Sequence, residues 1–358
     1  MRGEGRNLSI SIDTKLTRKR GECRARLLDR SMTPKENYLR MLRGEIPEFI
    51  PAYVEPYMQP VGEELLTPML LPDGPVVTSL GVKYVGDKDF NFGAMPAPNQ
   101  VIVSDVTKWR DQLKIRDVSG RDWEGYYKKL NENLDRENMC VCIDGGDYFL
   151  TLVSLMSFEG ALLAILEEPE AVIEMLTHIS EFYTMVTKQQ LHYLKPDVYI
   201  LMDDDSAYLN PFFSVETYRK IFKPFHKLHA DLVRDAGCFV NRHDCGKCEQ
   251  FIDDWLEIGV REWNPAQISN DLVGIKKKYG DRLVLSGCWD NNPWLGKPAD
   301  KKELRDALAE YVDTFAPGGG FTFVALAGGP ANDPFFAANQ EIAKEFYYDY
   351  VRDWYKTH

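Results

Sequence analysis

"DVYILMDDDSAYLNPFFSVETYRKIFKPFHKLHADLVRDAGCFVNRH", residues 197–243, decides the fold. It opens with a β-branched, apolar run, Val198 to Met202, that ends in three acids, Asp203, Asp204 and Asp205. Ser214 then offers the side-chain oxygen that a helix N-cap needs. Tyr218, Ile221, Phe222, Phe225, Leu228 and Leu232 recur at helical spacing, and Gly237 supplies the stop. Pro224 bends this helix without ending it. "CFVNRH" (238–243) reads as a second strand. A strand, a long crossover helix and a strand, with no tight turn between them, form a parallel βαβ unit.

The rhythm continues in both directions. A helix carrying Phe251, Ile252, Trp255 and Leu256 stops at Gly259, and "VREW" (260–263) is the next strand. The helix "NDLVGIKKKYG" leads to the strand "LVLSG" (283–287). "DKKELRDALAEYVDTF" opens with an Asp300-x-x-Glu303 capping box, and "FTFVALAGG" ends the series. Towards the N-terminus, "NMCVCI" (138–143) and "FIPAYV" (49–54) read as earlier strands. The expectation is an α/β fold, a closed (β/α)8 barrel of the TIM type with one strand not evident. An open doubly wound sheet is second, weakened because no GxGxxG or P-loop pattern follows any strand. Residues 60–137 read as helices and loops over the barrel mouth.

Composition bounds the function. The 358 residues contain 44% hydrophobic side chains, ample for a large core. A formal net charge of -12 argues against a nucleic-acid binder. No apolar run approaches the roughly 20 residues that span a bilayer, so no membrane segment is expected. Seven cysteines, odd in number and irregularly spaced, do not make a secreted disulfide framework. With no signal-peptide pattern either, a cytoplasmic location is expected. The first 30 residues hold nine Lys/Arg against four acids and no periodicity. Residues 1–32 therefore read as a flexible extension, removable without loss of fold, and 33–358 as one barrel domain.

"NRHDCGKCEQF" (241–251) places His243, Cys245 and Cys248 at the C-terminal end of a strand, the end at which parallel barrels carry their chemistry. Asp203 and Asp204, Glu262 and Trp263, and Cys288 end other strands, so imidazole, thiol and carboxylate would meet at one mouth, as zinc requires. One CxxC without a second rules out a zinc ribbon, and no thioredoxin-like context supports a Cys245–Cys248 redox pair. Cys140 and Cys142 share one face of a strand and read as core, as does Cys238. His226 and His229 read as surface or helix-flank residues. Trp263, Trp289, Trp294, Phe335 and Phe336 either line a pocket for an aromatic ring or cap the barrel.

Taken together, the stretch from "MDDDSAYLNPFF" to "NRHDCG", then "GVREWNP" and "LSGCWD", resembles the uroporphyrinogen decarboxylase superfamily. "TPKENYLRMLRGEIPEFIPAY" (33–53) and "FEGALLAILEEPEAVIEML" (158–176) extend the likeness over residues 33–358. The resemblance implies a (β/α)8 barrel. Its porphyrinogen-decarboxylating branch uses an arginine-bearing N-terminal segment and a histidine after the last strand. Here these read "PAYVEPY" and "ALAGGPAND", without either residue. Its other branch, the corrinoid-dependent methyltransferases, binds zinc through His-x-Cys and a late cysteine. His243 and Cys245 match that motif, whereas Gly328 and Gly329 stand in the late turn. Cys288 is the expected replacement ligand, with Glu262 and Cys248 behind it. The function so implied is methyl transfer between a small methoxylated or methylated molecule and the cobalt of a corrinoid protein. His243 and zinc act in it, and Asp203 or Asp204 supplies the proton. The alternatives are a decarboxylase of the same superfamily and a non-catalytic barrel that binds a corrinoid or tetrapyrrole.

Overall fold

The computed structural model describes residues 32–63, 65–66, 74–87, 93–329 and 333–358. All but one residue of the N-terminal extension expected over 1–32 thus lies outside the described residues. Strand β1 is Met58–Val61, and a small antiparallel sheet follows with β2 (Val76–Val77), β3 (Lys83–Asp87) and β4 (Gly93–Pro96). The main sheet continues with β5 (Cys140–Asp144), β6 (Val198–Met202), β7 (Phe239–His243), β8 (Val260–Ala266), β9 (Val284–Gly287) and β10 (Phe321–Phe323). Its seven strands lie side by side in the order β1-β5-β6-β7-β8-β9-β10, every pair parallel. The sheet is curled into a half-barrel.

Closure into eight strands is where expectation and structure part. "FIPAYV" forms no ladder: Ala52 makes one parallel bridge to Phe323 and an antiparallel one to Glu55 within its own turn. Pro51 has no N–H to donate, so the segment touches β10 only through Phe323 N to Pro51 O (2.9 Å) and Tyr53 N to Phe323 O (3.4 Å). The first full strand begins at Met58 instead. The sheet β2-β3-β4 also replaces part of what read as helices and loops. Its strands are short and lack period-two alternation, so nothing in the pattern announces them.

Alternation along the strands sorts side chains to two faces. Cys140, Cys142, Val198 and Val284 turn inward and pack with Tyr38, Met41, Leu42 and Tyr57. Cys140, Cys142 and Cys238 are buried. Tyr38, Met41 and Leu42 come from the helix Pro34–Leu42, which starts with Pro34 in the first turn and with Thr33 accepting from Glu36 N at 3.1 Å. The opposite face packs against the crossover helices in the larger core.

The helix after β6 starts where the sequence places it, with Ser214 accepting from Thr217 N at 3.0 Å. Its ladder is disturbed at Tyr218–Phe222, a π-turn, and resumes as Lys223–Asp235 with Pro224 in its first turn. Gly237 ends it at φ +88°. Asp300 caps the helix Lys301–Phe315 through Lys302 N and Glu303 N. Among the described residues no single helix is long and apolar enough to cross a membrane.

Candidate metal centre

Three consecutive aspartates leave β6 in three directions. Asp203 accepts from the amides of Tyr148, Phe149 and Leu150, each at 3.0 Å, at the N-terminus of the helix Phe149–Met156. His226 Nε2 lies 3.3 Å from the same carboxylate. Burial opposes ionisation of Asp203, but the His226 contact and the Arg242 charge hold its pKa below the usual range. Asp203 is therefore a fully buried helix cap, not the free acid expected from its place at the strand end.

Asp204 and Asp205 fix the ends of β6 and β7 to each other. Asp204 Oδ1 accepts from Cys245 N at 2.8 Å, and Asp205 N donates to Asp244 Oδ1 at 2.9 Å. This reciprocal clasp lies just past the Met202–His243 rung, the last of the β6–β7 ladder. Beneath it Arg242, fully buried, pairs with Asp205 and Asp244. Gly246 follows at φ +89°, and a Cβ there would lie 2.5 Å from Ser206 O and 2.6 Å from Ala207 O. Only glycine lets the two loops approach this closely.

The clasp brings Asp204, His243 and Cys245 together. One ligand atom from each lies within 4.8 Å of the others. Asp204 Oδ1 and Cys245 Sγ are each 3.9 Å from His243 Nε2. Tetrahedral zinc sets N, O and S ligands about 3.5 Å apart, so a small contraction would complete three sides of a site. Burial lowers the His243 pKa and leaves its ring neutral with a lone pair to give. Burial, then the Asp204 charge, pushes the Cys245 thiol up. Asp204 was expected as a proton donor; its position makes it the third potential ligand.

The replacement ligands expected from the sequence lie elsewhere. Cys288 follows β9, two strands from β7, and at about 4.8 Å per strand that is roughly 10 Å away. It is buried, with its amide donating to Ala266 O at 2.7 Å. The Cys248 thiol contacts Asp244 Oδ1 (3.2 Å) and Cys245 O (3.0 Å), which holds the loop. In the late turn a Cβ on Gly329 would sit 2.5 Å from the Phe336 ring, whereas Gly328 has open space around it, and neither glycine offers a ligand atom.

Glu262 points into the sheet's interior, where the Tyr38 hydroxyl and Asn241 Nδ2 (2.7 Å) donate to its Oε2. Burial raises its pKa to about 7, against lowering bonds from Tyr38, Ser286 and Asn241. From the unfolded value of 4.5 up to about 7, the folded chain keeps a proton that the unfolded chain has lost. Stability contributed by neutral Glu262 is therefore lost as pH rises through this window. Relative to wild type, Glu262→Gln should gain about 3 kcal/mol in urea melts between about pH 4 and about pH 8. Parallel pH profiles for the two proteins would show that Glu262 ionises normally.

Other residues also correct the sequence reading. His226 and His229 are buried rather than on a helix flank. His229 contacts the Tyr148 and Tyr199 hydroxyls, both at 2.9 Å, and burial lowers its pKa to about 3. Trp263 is buried and donates its indole N–H to Asp244 O at 2.9 Å, while Trp289 and Trp294 stack on each other. Gln267 and Asn270 escaped sequence reading: Gln267 Oε1 accepts from Gly246 N and Asn270 Nδ2 donates to Gly246 O, both at 2.8 Å. A lone amide in a loop carries no spacing signal that could have found them.

No protein-family model matches the chain, and no curated protein matches it in sequence. Among solved structures, a 3-keto-L-gulonate-6-phosphate decarboxylase from Vibrio cholerae overlaps 62% of this chain and 79% of its own, at 12% identity and a TM-score of 0.25. A methyltransferase from Methanosarcina mazei aligns with a TM-score of 0.59 at 14% identity, covering 88% of this chain and 100% of its own. Over most of its length the chain therefore shares the fold of that methyltransferase.

Proposed function

We propose that the protein is a corrinoid-linked methyltransferase that uses zinc to demethylate a small methoxylated or methylated molecule. The observation that carries this reading is the Asp204–His243–Cys245 trio at the C-terminal ends of parallel strands. Mixed O, N and S donors suit a borderline cation, so the residues present fit zinc. When bound there, zinc would supply Lewis acidity to the oxygen that leaves its methyl group.

In the proposed reaction the O–methyl bond breaks, the methyl group passes to the reduced cobalt of a corrinoid on a partner protein, and the oxygen leaves as alkoxide or phenolate. Asp204 and Cys245 contribute negative charge, and His243 contributes a neutral donor held by the end of β7. Because burial pushes the Cys245 thiol up, loading the site should release a proton. Purified protein should transfer methyl from a methoxylated aromatic to cob(I)alamin, and His243→Ala should reduce the rate by at least about a hundredfold. Full activity in chelator-stripped protein would overturn the mechanism. Zinc binding without any methyl transfer would instead favour a binding barrel.

A further inference from the structure

A second site lies at the other end of the same strand. Phe239 and Val260, the first residues of β7 and β8, line a cavity of about 510 Å³ at the N-terminal edge of the sheet. His243 is four residues further along β7, so the cavity lies roughly 13 Å from the metal trio. Three arginines, Arg234, Arg261 and Arg282, are among its lining residues, and none of those residues is acidic. This concentration of positive charge stands in a chain with a formal net charge of -12.

The arginines are held largely by main-chain oxygens. Arg261 donates from Nε to Leu42 O at 2.7 Å and from Nη2 to Asp281 O at 3.1 Å. Arg282 Nη2 donates to Lys278 O at 3.1 Å. A carbonyl fixes a guanidinium without cancelling its charge, and N–H donors remain on each fork. Arg234 lies across Gly259, where a Cβ would come within 2.8 Å of its Cδ and Nε. Gly259, at φ +96°, thus ends the preceding helix and makes room for the arginine. Each arginine has a carboxylate near it: Asp231 is 3.7 Å from Arg234, Asp281 acts on Arg261 and Asp253 acts on Arg282. None of the three lines the cavity.

We propose that this cavity binds a small oxyanionic ligand, an organic phosphate or a polycarboxylate, independently of the metal centre. Planar guanidinium forks match the paired oxygens of both groups, and the cavity can hold a ligand larger than a single ion. Calorimetric titration at fixed ionic strength with pyrophosphate, and separately with citrate, tests this and tells phosphate from carboxylate. At least one should bind saturably, and Arg234→Ala and Arg282→Ala should each weaken it about tenfold or more. Both arginines are solvent-accessible, so neither change should unfold the chain. Arg305→Ala, on the remote helix Lys301–Phe315, should bind as wild type does. His243→Ala should too, which separates this site from anion capture by a bound metal. The absence of saturable binding, binding untouched by both cavity variants, or binding lost in His243→Ala would each overturn the proposal.

Discussion

Asp204→Ala and Cys245→Ser should each lower zinc affinity by roughly a hundredfold or more, whereas Cys288→Ser should bind zinc as wild type does. Site free energies of about 12 kcal/mol over four ligands put the loss of one ligand near 3 kcal/mol, which is about two orders of magnitude. The contrast tests geometry directly. Asp204 and Cys245 belong to the trio that spans at most 4.8 Å, while Cys288 follows a strand two places away. Metal content after dialysis against a competing chelator would measure all three. Equal loss in Cys288→Ser and Cys245→Ser would mean that the loop after β9 folds over the mouth when metal binds. Cys245→Ser should also abolish the proton released on loading, because its serine hydroxyl stays protonated.

Arg242→Met should cost about 3–5 kcal/mol of folding stability at neutral pH, the range for breaking a buried ion pair from one side. Arg242, Asp205 and Asp244 are all fully buried. Burial, then the neighbouring Asp244 charge, pushes the Asp205 pKa well up, and burial raises that of Asp244 to about 6. The arginine is the cation that offsets this pair. Without it, both carboxylates must take up protons or reach water, and either response strains the clasp that sets Asp204 against Cys245. The deficit should shrink as pH falls towards about 6, because without the arginine the carboxyls take up protons at higher pH, and protonated carboxyls need no counter-charge. Urea melts at two pH values would show this. A deficit that does not change with pH would assign the loss to packing of the arginine against Trp255 instead.

Much of this was legible in the chain because its signals are local. The apolar run Val198–Met202, the Ser214 and Asp300 caps and the Gly237 stop each fix backbone geometry within a few residues. The closeness of His243 and Cys245 was also legible, because they alternate at a strand end. The role of Asp204 was not. Three identical neighbours, Asp203 to Asp205, are told apart only by what approaches them: a helix end, an amide of the neighbouring loop and a buried arginine. Cys288 misled for the reverse reason: ending a strand says nothing about which strand lies beside it. The small sheet and the single bridge at Ala52 rest on pairings whose partners no periodicity reveals.

The bond from Cys245 N to Asp204 has a consequence for how the proposed centre would exchange a metal. The same carboxylate that would grip a cation also holds the backbone of the opposing loop. The β6–β7 ladder and this bond, rather than an ion, set the two loops against each other. Removing the metal should then leave the architecture standing, unlike a zinc finger, which collapses when stripped. His243 and Asp204 are each about a third exposed on their side chains, so the trio faces solvent. Zinc held there, as proposed above, would be exchanged within the lifetime of one folded molecule, and metal supply would then set the rate of methyl transfer.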